Sequence, residues 1–321
     1  MQLVRFVSGA LLASLPTIGV CAQLLVANKS DSTLAFIDPS SGGTIATIAT
    51  GNAPHEVEVS TDGRLAFVSN YGDEPAGNTL SVIDVAARKE LRRVDLGELS
   101  RPHGLVFSEG SLYFTSETSR RIGRYDPRAQ RVDWTFDTGQ GGTHMILAAR
   151  DGIRLYTSNM DSNSVSIIAR NASGGWTQQL VKVGAEPEGL ALSADGRSLW
   201  SAHSGDGGVS IIDATSGRVM HTFDAKTRRS NRVKLTADGR LALISDLGAG
   251  ELAIFDTATY AERARLQLGR QPSGILLAPN GAEAYIAVSG DRHVAVLDLG
   301  TLRIVRTIAT GNAPDGMAWV P

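Results

Sequence analysis

The sequence has almost no cysteine and no charge excess of either sign. Cys21 is the only cysteine among 321 residues, and it lies close to the amino terminus. The rest of the chain therefore suits an oxidising compartment without disulfides, because a chain of this length can bury its own core. The formal net charge of -2 gives no support to a nucleic-acid or anionic-membrane partner. A glycine-rich phosphate loop, a nucleophile elbow and a haem-attachment motif are also missing.

Residues 1–22 have the pattern of a secretory signal peptide. Arg5 gives a positive start, the apolar run "FVSGALLASLPTIGV" follows, and small residues end the segment at Ala22. A membrane anchor is the alternative, but Pro16 interrupts the run, and a spanning helix needs roughly 20 apolar residues. Val20 is a poor neighbour for a lipidated cysteine, which favours plain export over a lipoprotein. We predict cleavage after Ala22 and a periplasmic or secreted product.

An internal repeat organises the remaining chain, residues 23–321. An acidic residue or Asn followed by Gly recurs roughly every 42 to 47 residues between two alternating apolar runs. Such a pair is typical of a hairpin turn, because Gly accepts positive φ there. The pairs are Asp62-Gly63, Glu109-Gly110, Asp151-Gly152, Asp195-Gly196, Asp238-Gly239 and Asn280-Gly281.

Two further apolar runs complete each repeat. The third run, such as "LSVIDV" or "LAIFDT", closes on an Asp in five of six repeats, and the fourth, such as "VRTIATG", ends near Gly. An Asp at this place starts the next turn through its own backbone. Four short strands per repeat predict a β-propeller, whereas a helical repeat is excluded because no 3.6-residue period persists.

The two ends of the chain together make one further repeat. The segment of residues 24–49 matches the second, third and fourth strands, and "PDGMAWVP" at the carboxyl end matches a first strand alone. Six whole repeats and this shared one predict an all-β, seven-bladed propeller in one domain, residues 23–321. Its C-terminal strand joins three N-terminal strands and so hides the open edges of the sheets.

The second strands resemble a known repeat. They read "LVAN" at Leu25–Asn28, "FVSN" at Phe67–Asn70, "FTSE" at Phe114–Glu117 and "YTSN" at Tyr156–Asn159. With the turn before and the "VSIID"-like strand after, the chain resembles the YVTN-type bacterial propeller family, which includes exported YncE-like proteins. The resemblance implies an exported seven-bladed propeller related to the haem d1 domain of cytochrome cd1 nitrite reductases and to lactonase-type propellers. The fifth and sixth blades depart from the pattern with "LISD" and "YIAV".

We call the equivalent positions of all the repeats one phase. A phase whose residues differ between blades is a candidate for function. By analogy with propellers in general, the start of the first strand and the end of the second lie on one face, around the axial channel. The first phase contains three of the six histidines in consecutive blades, followed by a carboxylate; it reads His55, His103, His144, Glu188, Asn231, Ser273 and Asp315. The next residue is Gly in four blades but Glu56, Met145 and Arg232 in the others. The second phase is mostly polar and reads Asn28, Asn70, Glu117, Asn159, His203, Asp246 and Val288.

Two hypotheses explain the histidines. Neutral imidazole is the commonest metal ligand, so His55, His103, His144 and Glu188 are sufficient for Zn, Cu or Fe in the axial channel. Alternatively, the rings only satisfy hydrogen bonds at a water-filled channel mouth. In either case we expect Arg232 and Asp315 across the channel from the histidines, with the guanidinium facing an anionic or polar ligand.

Two classes of function stay open. The first is a non-catalytic propeller, expected to be a monomer, that binds a small molecule or a protein partner at the axial upper face. Its candidate ligand-binding residues are His55, Glu56, His103, His144, Glu188, Arg232, Asp315, Asn70, Glu117, Asn159, His203 and Asp246. The alternative is a metal-dependent oxidase or lyase, or a lactonase-type hydrolase, that uses the same ring.

Overall fold

Twenty-eight strands form seven four-stranded antiparallel sheets in the computed structural model, which describes residues 22–320. The predicted signal peptide, apart from Ala22, lies outside these residues. The first three strands are β1 (Gln23–Asn28), β2 (Thr33–Ile37) and β3 (Thr44–Ala49). Blade 1 contains β4 (Pro54–Val59), β5 (Leu65–Asn70), β6 (Thr79–Asp84) and β7 (Lys89–Asp95), and blade 2 contains β8 (Pro102–Ser108), β9 (Ser111–Ser116), β10 (Arg121–Asp126) and β11 (Arg131–Asp137).

The remaining blades repeat this order. Blade 3 contains β12 (Thr143–Ala148), β13 (Arg154–Asn159), β14 (Ser164–Arg170) and β15 (Trp176–Lys182), and blade 4 contains β16 (Pro187–Leu192), β17 (Ser198–His203), β18 (Gly208–Asp213) and β19 (Val219–Asp224). Blade 5 contains β20 (Ser230–Leu235), β21 (Leu241–Asp246), β22 (Glu251–Asp256) and β23 (Glu262–Gln267), and blade 6 contains β24 (Pro272–Leu277), β25 (Glu283–Val288), β26 (His293–Asp298) and β27 (Arg303–Ala309). The last strand is β28 (Pro314–Val320), and single 3-10 turns occur at Lys29–Asp31 and Ser289–Asp291.

The seventh blade is assembled from both ends of the chain, as the repeat predicts. Its strand order is β28-β1-β2-β3, and Leu24, Leu25 and Val26 pair with Trp319, Ala318 and Met317. The prediction of a seven-bladed propeller closed by its C-terminal strand is therefore confirmed. No helix in residues 22–320 has both the length and the apolar character needed to cross a membrane.

The hydrophobic core is divided into seven clusters, one in each gap between neighbouring blades. Between blades 7 and 1, for example, Leu25 and Phe36 pack against Val68 and Ile83. The middle strands are buried on both faces, which explains their nearly continuous apolar runs. Each cluster is formed by two neighbouring blades, so the contribution of core packing to stability is distributed around the ring.

The first strands of the blades line the axis, because each contacts the first strands of both neighbouring blades. Glycine permits this approach. A Cβ on Gly274 would lie 2.2 Å from the carbonyl oxygen of Asp315, and a Cβ on Gly316 would lie 2.4 Å from that of His55. The glycines noted at this phase are thus explained by contact between neighbouring backbones, and the larger Glu56, Met145 and Arg232 fill the channel between them.

Candidate functional site

A β-bulge near the start of each first strand creates the site. In blade 1, Pro54 pairs with Asn70 and Val57 with Val68, so two residues of β4 face one residue of β5. A bulge bends its strand and redirects side chains. Consecutive residues therefore both reach the axis. His55 joins the ring at the mouth of the channel, and Glu56 forms the wall just below.

Hydroxyl groups on the second strands hold these bulges in place. The backbone N–H groups of Glu56 and Arg232 donate to Oγ of Ser69 and Ser245, each at 3.0 Å. The hydroxyl of Ser245 in turn donates to the carbonyl of Ser273 in the next blade at 2.7 Å. The Ser or Thr before the end of "FVSN" and "LISD" therefore has a structural role, since it joins a bulge to the neighbouring blade.

Three imidazoles form a row along one arc of the mouth. The ring centroids of His103 and His144 are 3.8 Å apart, and those of His55 and His103 are 5.1 Å apart. Tyr71 extends the row, with its ring centroid 4.4 Å from that of His55. The grouping predicted from the sequence is therefore present, and we call His55, His103, His144, Glu117 and Glu188 the mouth cluster.

A hydrogen-bonded chain fixes the orientation of His144. Its Nδ1 lies 2.7 Å from Oε1 of Glu117, whose Oε2 accepts from the hydroxyl of Tyr71. A carboxylate can only accept, so Nδ1 of His144 holds a proton, and in a neutral ring Nε2 presents a lone pair. That Nε2 is buried without a partner and lies 3.8 Å from Oε1 of Glu188. The chain thus holds an acceptor nitrogen at a fixed place in the mouth.

Burial keeps the imidazoles of His55 and His103 neutral at physiological pH. It lowers the pKa of His55 to about 4 despite the opposing charge of Asp315. It also lowers the pKa of His103 well below its ordinary value, and the neighbouring His144 acts in the same direction. Nδ1 of His55 lies 3.0 Å from the carbonyl of Ala53, so Nε2 of His55 is an acceptor too. Neutral rings of this kind favour a ligand that donates hydrogen bonds.

Arg232 lies across the channel but does not face an open space. Its guanidinium binds the carboxylate of Glu56 and lies 3.6 Å from that of Glu188. Burial alone would lower the pKa of Arg232, but Glu56, Asp315 and Glu188 outweigh it and raise that pKa. The guanidinium expected to bind an anionic ligand is therefore already neutralised, and its pair with Glu56 closes the channel below the mouth.

Asp315 has a different partner at the mouth. Its carboxylate is buried and lies 3.2 Å from Nζ of Lys29. Burial would raise the pKa of Asp315, but the charges of Lys29 and Arg232 hold it below its ordinary value. Lys29 and Tyr71 are the mouth residues that sequence reasoning missed. Each directly follows the "N" that ends a second strand, so reading one position further would have found them.

Most residues of the second phase are used inside the blades. Asn70 and Asn159 are buried, and their amide groups bond to hydroxyls of the adjacent strand, such as Ser81 and Ser166. Nδ1 of His203 lies 3.2 Å from Asp206. Asp246 accepts four backbone N–H groups at the ends of the neighbouring loops, from Arg228, Arg229, Gly248 and Ala249. The sequence placed Glu117 in this phase, but β9 ends at Ser116, which pairs with Pro102 as Asn70 pairs with Pro54, so Glu117 is equivalent to Tyr71. Glu117 belongs to the mouth cluster, and ligand binding by the other residues stays a prediction.

The imidazoles do not surround a common point. They pack on one another, and no group of three or more His, Cys, Asp or Glu side chains within residues 22–320 is arranged to hold a metal ion. The predicted metal site at His55, His103, His144 and Glu188 therefore stays a prediction that rests on the chemistry of its donors.

A family model for YncE-like β-propellers matches residues 4–320. The chain belongs to the YncE-like β-propeller family. Antigen Lp49 of Leptospira interrogans is 23% identical over 184 residues, and the protein YncE of Salmonella typhimurium is 27% identical over 134 residues. These matches cover 51% and 40% of this chain but only 40% and 37% of the relatives, so the chain spans less than half of their length.

Solved structures share the fold of this YncE-like propeller. The periplasmic gluconolactonase PpgL of Pseudomonas aeruginosa superposes with a TM-score of 0.76 at 18% identity, over 94% of this chain and 99% of PpgL. The dihydro-haem d1 dehydrogenase NirN superposes with a TM-score of 0.66 at 15% identity, over 96% of this chain and 77% of NirN. At these identities the likeness shows the fold alone, and the chemistry has to be argued from the mouth cluster.

Polar atoms without a partner cluster at the mouth of this YncE-like propeller. Nδ1 of His103, Nε2 of His144 and Oε2 of Glu188 are all buried and have no hydrogen-bond partner within residues 22–320. Leaving a buried polar atom without a partner costs roughly 1–3 kcal/mol. The three side chains with an unpartnered buried atom lie in one cluster, which indicates that water or a ligand forms the missing hydrogen bonds there.

Proposed function

We propose that this YncE-like propeller binds a small molecule at the mouth cluster, and that the ligand presents hydrogen-bond donors or a positive charge. The observation that carries the proposal is the fixed lone pair on Nε2 of His144 beside the carboxylate of Glu188. The Tyr71–Glu117 chain that fixes it has no purpose for a ring that only lines a channel. A ligand N–H or O–H group would complete both acceptors.

The charges around the mouth favour the same class of ligand. Carboxyl groups outnumber cations there. The carboxyl groups are those of Glu56, Glu117, Glu188 and Asp315, and the cations are Arg232 and Lys29. With neutral imidazoles, an added anion would meet repulsion, whereas an ammonium group would meet attraction. An amine or an amino sugar is therefore favoured over a dicarboxylate.

A thermal-shift series on the purified protein tests this proposal. Putrescine, spermidine and glucosamine are the probes, and succinate is the anionic comparison. We expect at least one amine to raise the melting temperature, because a ligand that binds only the native state adds about 2.7 kcal/mol at a hundredfold excess over its Kd. Succinate should have no effect. A shift with succinate alone, or with none of the four compounds, would contradict the proposal.

Two histidine variants locate the binding. His144→Ala should weaken the amine at least tenfold in a calorimetric titration, because it removes the oriented acceptor. His103→Ala should weaken it as well without a large loss of stability. The matched control is His221→Ala, since His221 lies exposed on an outer strand and stacks on Tyr260. Equal affinity in His144→Ala and the control would place the binding elsewhere.

A transition-metal ion is the second candidate, and one observation favours it. A metal-ligating histidine usually donates its other ring N–H to a carboxylate, as His144 does to Glu117. Zn²⁺ or Cu²⁺ would then need a small shift of His103 and Glu188 toward Nε2. In this case Zn²⁺ or Cu²⁺ raises the melting temperature, metal analysis finds bound ion, and His144→Ala loses it, while the amines are without effect.

We also propose that the protein is exported to the periplasm with removal of residues 1–22. The charged start, the apolar run and the small residues before Gln23 support this, as does the name of PpgL, a periplasmic protein of the same fold. Mass spectrometry of the protein made in a Gram-negative host is expected to show Gln23 as the first residue. A retained Met1, or a lipid on Cys21, would contradict the proposal.

A further inference from the structure

A second cavity lies on the axis below the mouth cluster. It has a volume of about 290 Å³, and its walls come from the middle and the ends of the first strands. None of the mouth cluster lines it, because the Glu56–Arg232 pair separates the two spaces. We call this cavity the lower chamber. Its volume is at the small end of ligand pockets, which run from roughly 300 Å³ upward.

Below the Glu56–Arg232 pair, which also borders the lower chamber, two charged side chains break an otherwise apolar wall. Glu58 on β4 and Lys234 on β20 line it with Leu147, Leu276 and Trp319. In the other five blades this phase is apolar: Val106, Leu147, Ala191, Leu276 and Ala318. Each charge lies two residues beyond Glu56 or Arg232 on the same strand, and alternate residues of a strand share a face.

Glu56 and Arg232 form an ion pair at the top of the lower chamber, whereas Glu58 and Lys234 below them do not. Arg232 reaches Glu56 across the axis, but within residues 22–320 no carboxylate oxygen lies within 4.0 Å of Nζ of Lys234. Only Oε1 of Glu58 is bonded, by the backbone N–H of Phe107 at 3.2 Å. Two opposite charges thus share a cavity with a gap between them.

Both side chains are half-buried, and their surroundings partly desolvate them. Burial raises the pKa of Glu58 to about 7 and lowers that of Lys234, although Glu56 and Glu58 act to raise the latter. Arg232 and Lys234 are the cations near them, and Glu56 is the other carboxylate. A buried charge without a partner is costly, so such groups are normally paired or bind a ligand.

We propose that the lower chamber is a second binding site, for a small carboxylic acid that also has a hydrogen-bond donor, such as an amino acid or a 2-hydroxy acid. The ligand carboxylate pairs with Lys234, and its ammonium or hydroxyl group donates to Glu58. Its side chain packs against Leu276 and Trp319. A dicarboxylate is disfavoured because its second negative charge would meet Glu58, and an apolar ligand would leave Lys234 unpaired.

Binding of four compound sets to the full-length protein tests the lower chamber. The sets are the proteinogenic L-amino acids, the matched 2-hydroxy acids, the matched amines without a carboxylate, and the matched acids without a donor. We expect a member of the first or second set to raise the melting temperature and to bind in a calorimetric titration. The matching amine should bind at least tenfold more weakly. If no compound binds, or if the matching amine binds with equal affinity to the His144→Ala variant, in which the mouth cluster has lost its oriented nitrogen, the proposal is overturned.

Variants assign the binding to the chamber. Lys234→Met should abolish it with little loss of stability in the free protein, because a half-buried charge without an ion-pair partner is replaced by an apolar side chain. Leu276→Trp should also abolish it by filling the space. Lys182→Met on an exposed strand is the matched control, and His144→Ala should leave this binding unchanged. Binding that persists in both Lys234→Met and Leu276→Trp would refute the site, whatever the outcome at the mouth cluster.

Discussion

Removal of residues 312–321 is expected to abolish most of the stability of the propeller. The deletion takes away β28, which pairs with β1 and packs beside β4 and β24. It also removes Met317 from one inter-blade core, and Ala318 and Val320 from the next. Each fully buried large apolar side chain contributes about 1.5–3 kcal/mol, and whole domains are stable by only about 5–15 kcal/mol. Urea unfolding followed by circular dichroism should show a midpoint close to zero, together with aggregation from the exposed edge of β1.

Two further measurements separate closure from a general effect of truncation. A synthetic peptide of residues 312–321 should restore solubility, because it can add a strand to the open edge. In the full chain, Met317→Asp should be strongly destabilising, whereas Val305→Asp, at an outer-strand position that is 53% exposed, should be nearly neutral. A truncated protein as soluble and heat-stable as the full chain would show that β28 does not close the ring.

Replacement of Arg232 by Met is expected to cost about 3–5 kcal/mol of unfolding free energy, the range for breaking a buried ion pair by removing one partner. The guanidinium is bonded to Glu56 and lies beside Glu188, and the variant would leave both carboxylates largely buried without this cation. The difference from the wild type should shrink in acid, where carboxylates take up protons. Chemical denaturation at a series of pH values measures both effects.

A double-mutant cycle assigns this loss to the pair. Glu56→Gln combined with Arg232→Met should be less destabilising than the sum of the single changes, since the main unpaired charge is gone. The control is Arg240→Met, because Arg240 pairs with Asp238 in an exposed turn, where ion pairs contribute about 0–1 kcal/mol. A loss no greater for Arg232→Met than for Arg240→Met would mean that the channel is wet and that the pair does not close it.

The fold could be predicted from the sequence because the chain contains an internal repeat. The hairpin turns at Asp62-Gly63 and its equivalents, and the Asp that ends the third strand in five of six repeats, are local signals that depend on a few neighbouring residues. Because the same signal occurs six times at one spacing, chance agreement is excluded, and the shared seventh blade follows from the incomplete ends. The structure matches this prediction strand by strand.

The candidate site was predicted less completely, and for a physical reason. Phase in the repeat correctly brought His55, His103 and His144 into one row. It also predicted Arg232 and Asp315 across the channel from them, which is wrong for Asp315, because β28 lies beside β4 and brings Asp315 next to His55. The repeat could not show that two carboxylates neutralise the guanidinium of Arg232, because these ion pairs join residues of different blades. The sequence contains Glu58 and Lys234 as charged exceptions in an apolar phase. A binding site can be inferred from them only once the structure shows that the two side chains share a cavity without forming an ion pair.

The sequence by itself determined the number of blades, the way the ring closes and the side of the ring on which the histidines lie, because each follows from a periodic local pattern. Only the tertiary structure decided which polar atoms have partners. Distances across the axis depend on side-chain length and on the approach that Gly274 and Gly316 permit between first strands. That is why Glu56 and Arg232 form an ion pair while Glu58 and Lys234 stay apart, and why the channel has two regions of different chemistry, one with unpartnered polar atoms at the mouth and one with a separated pair of opposite charges.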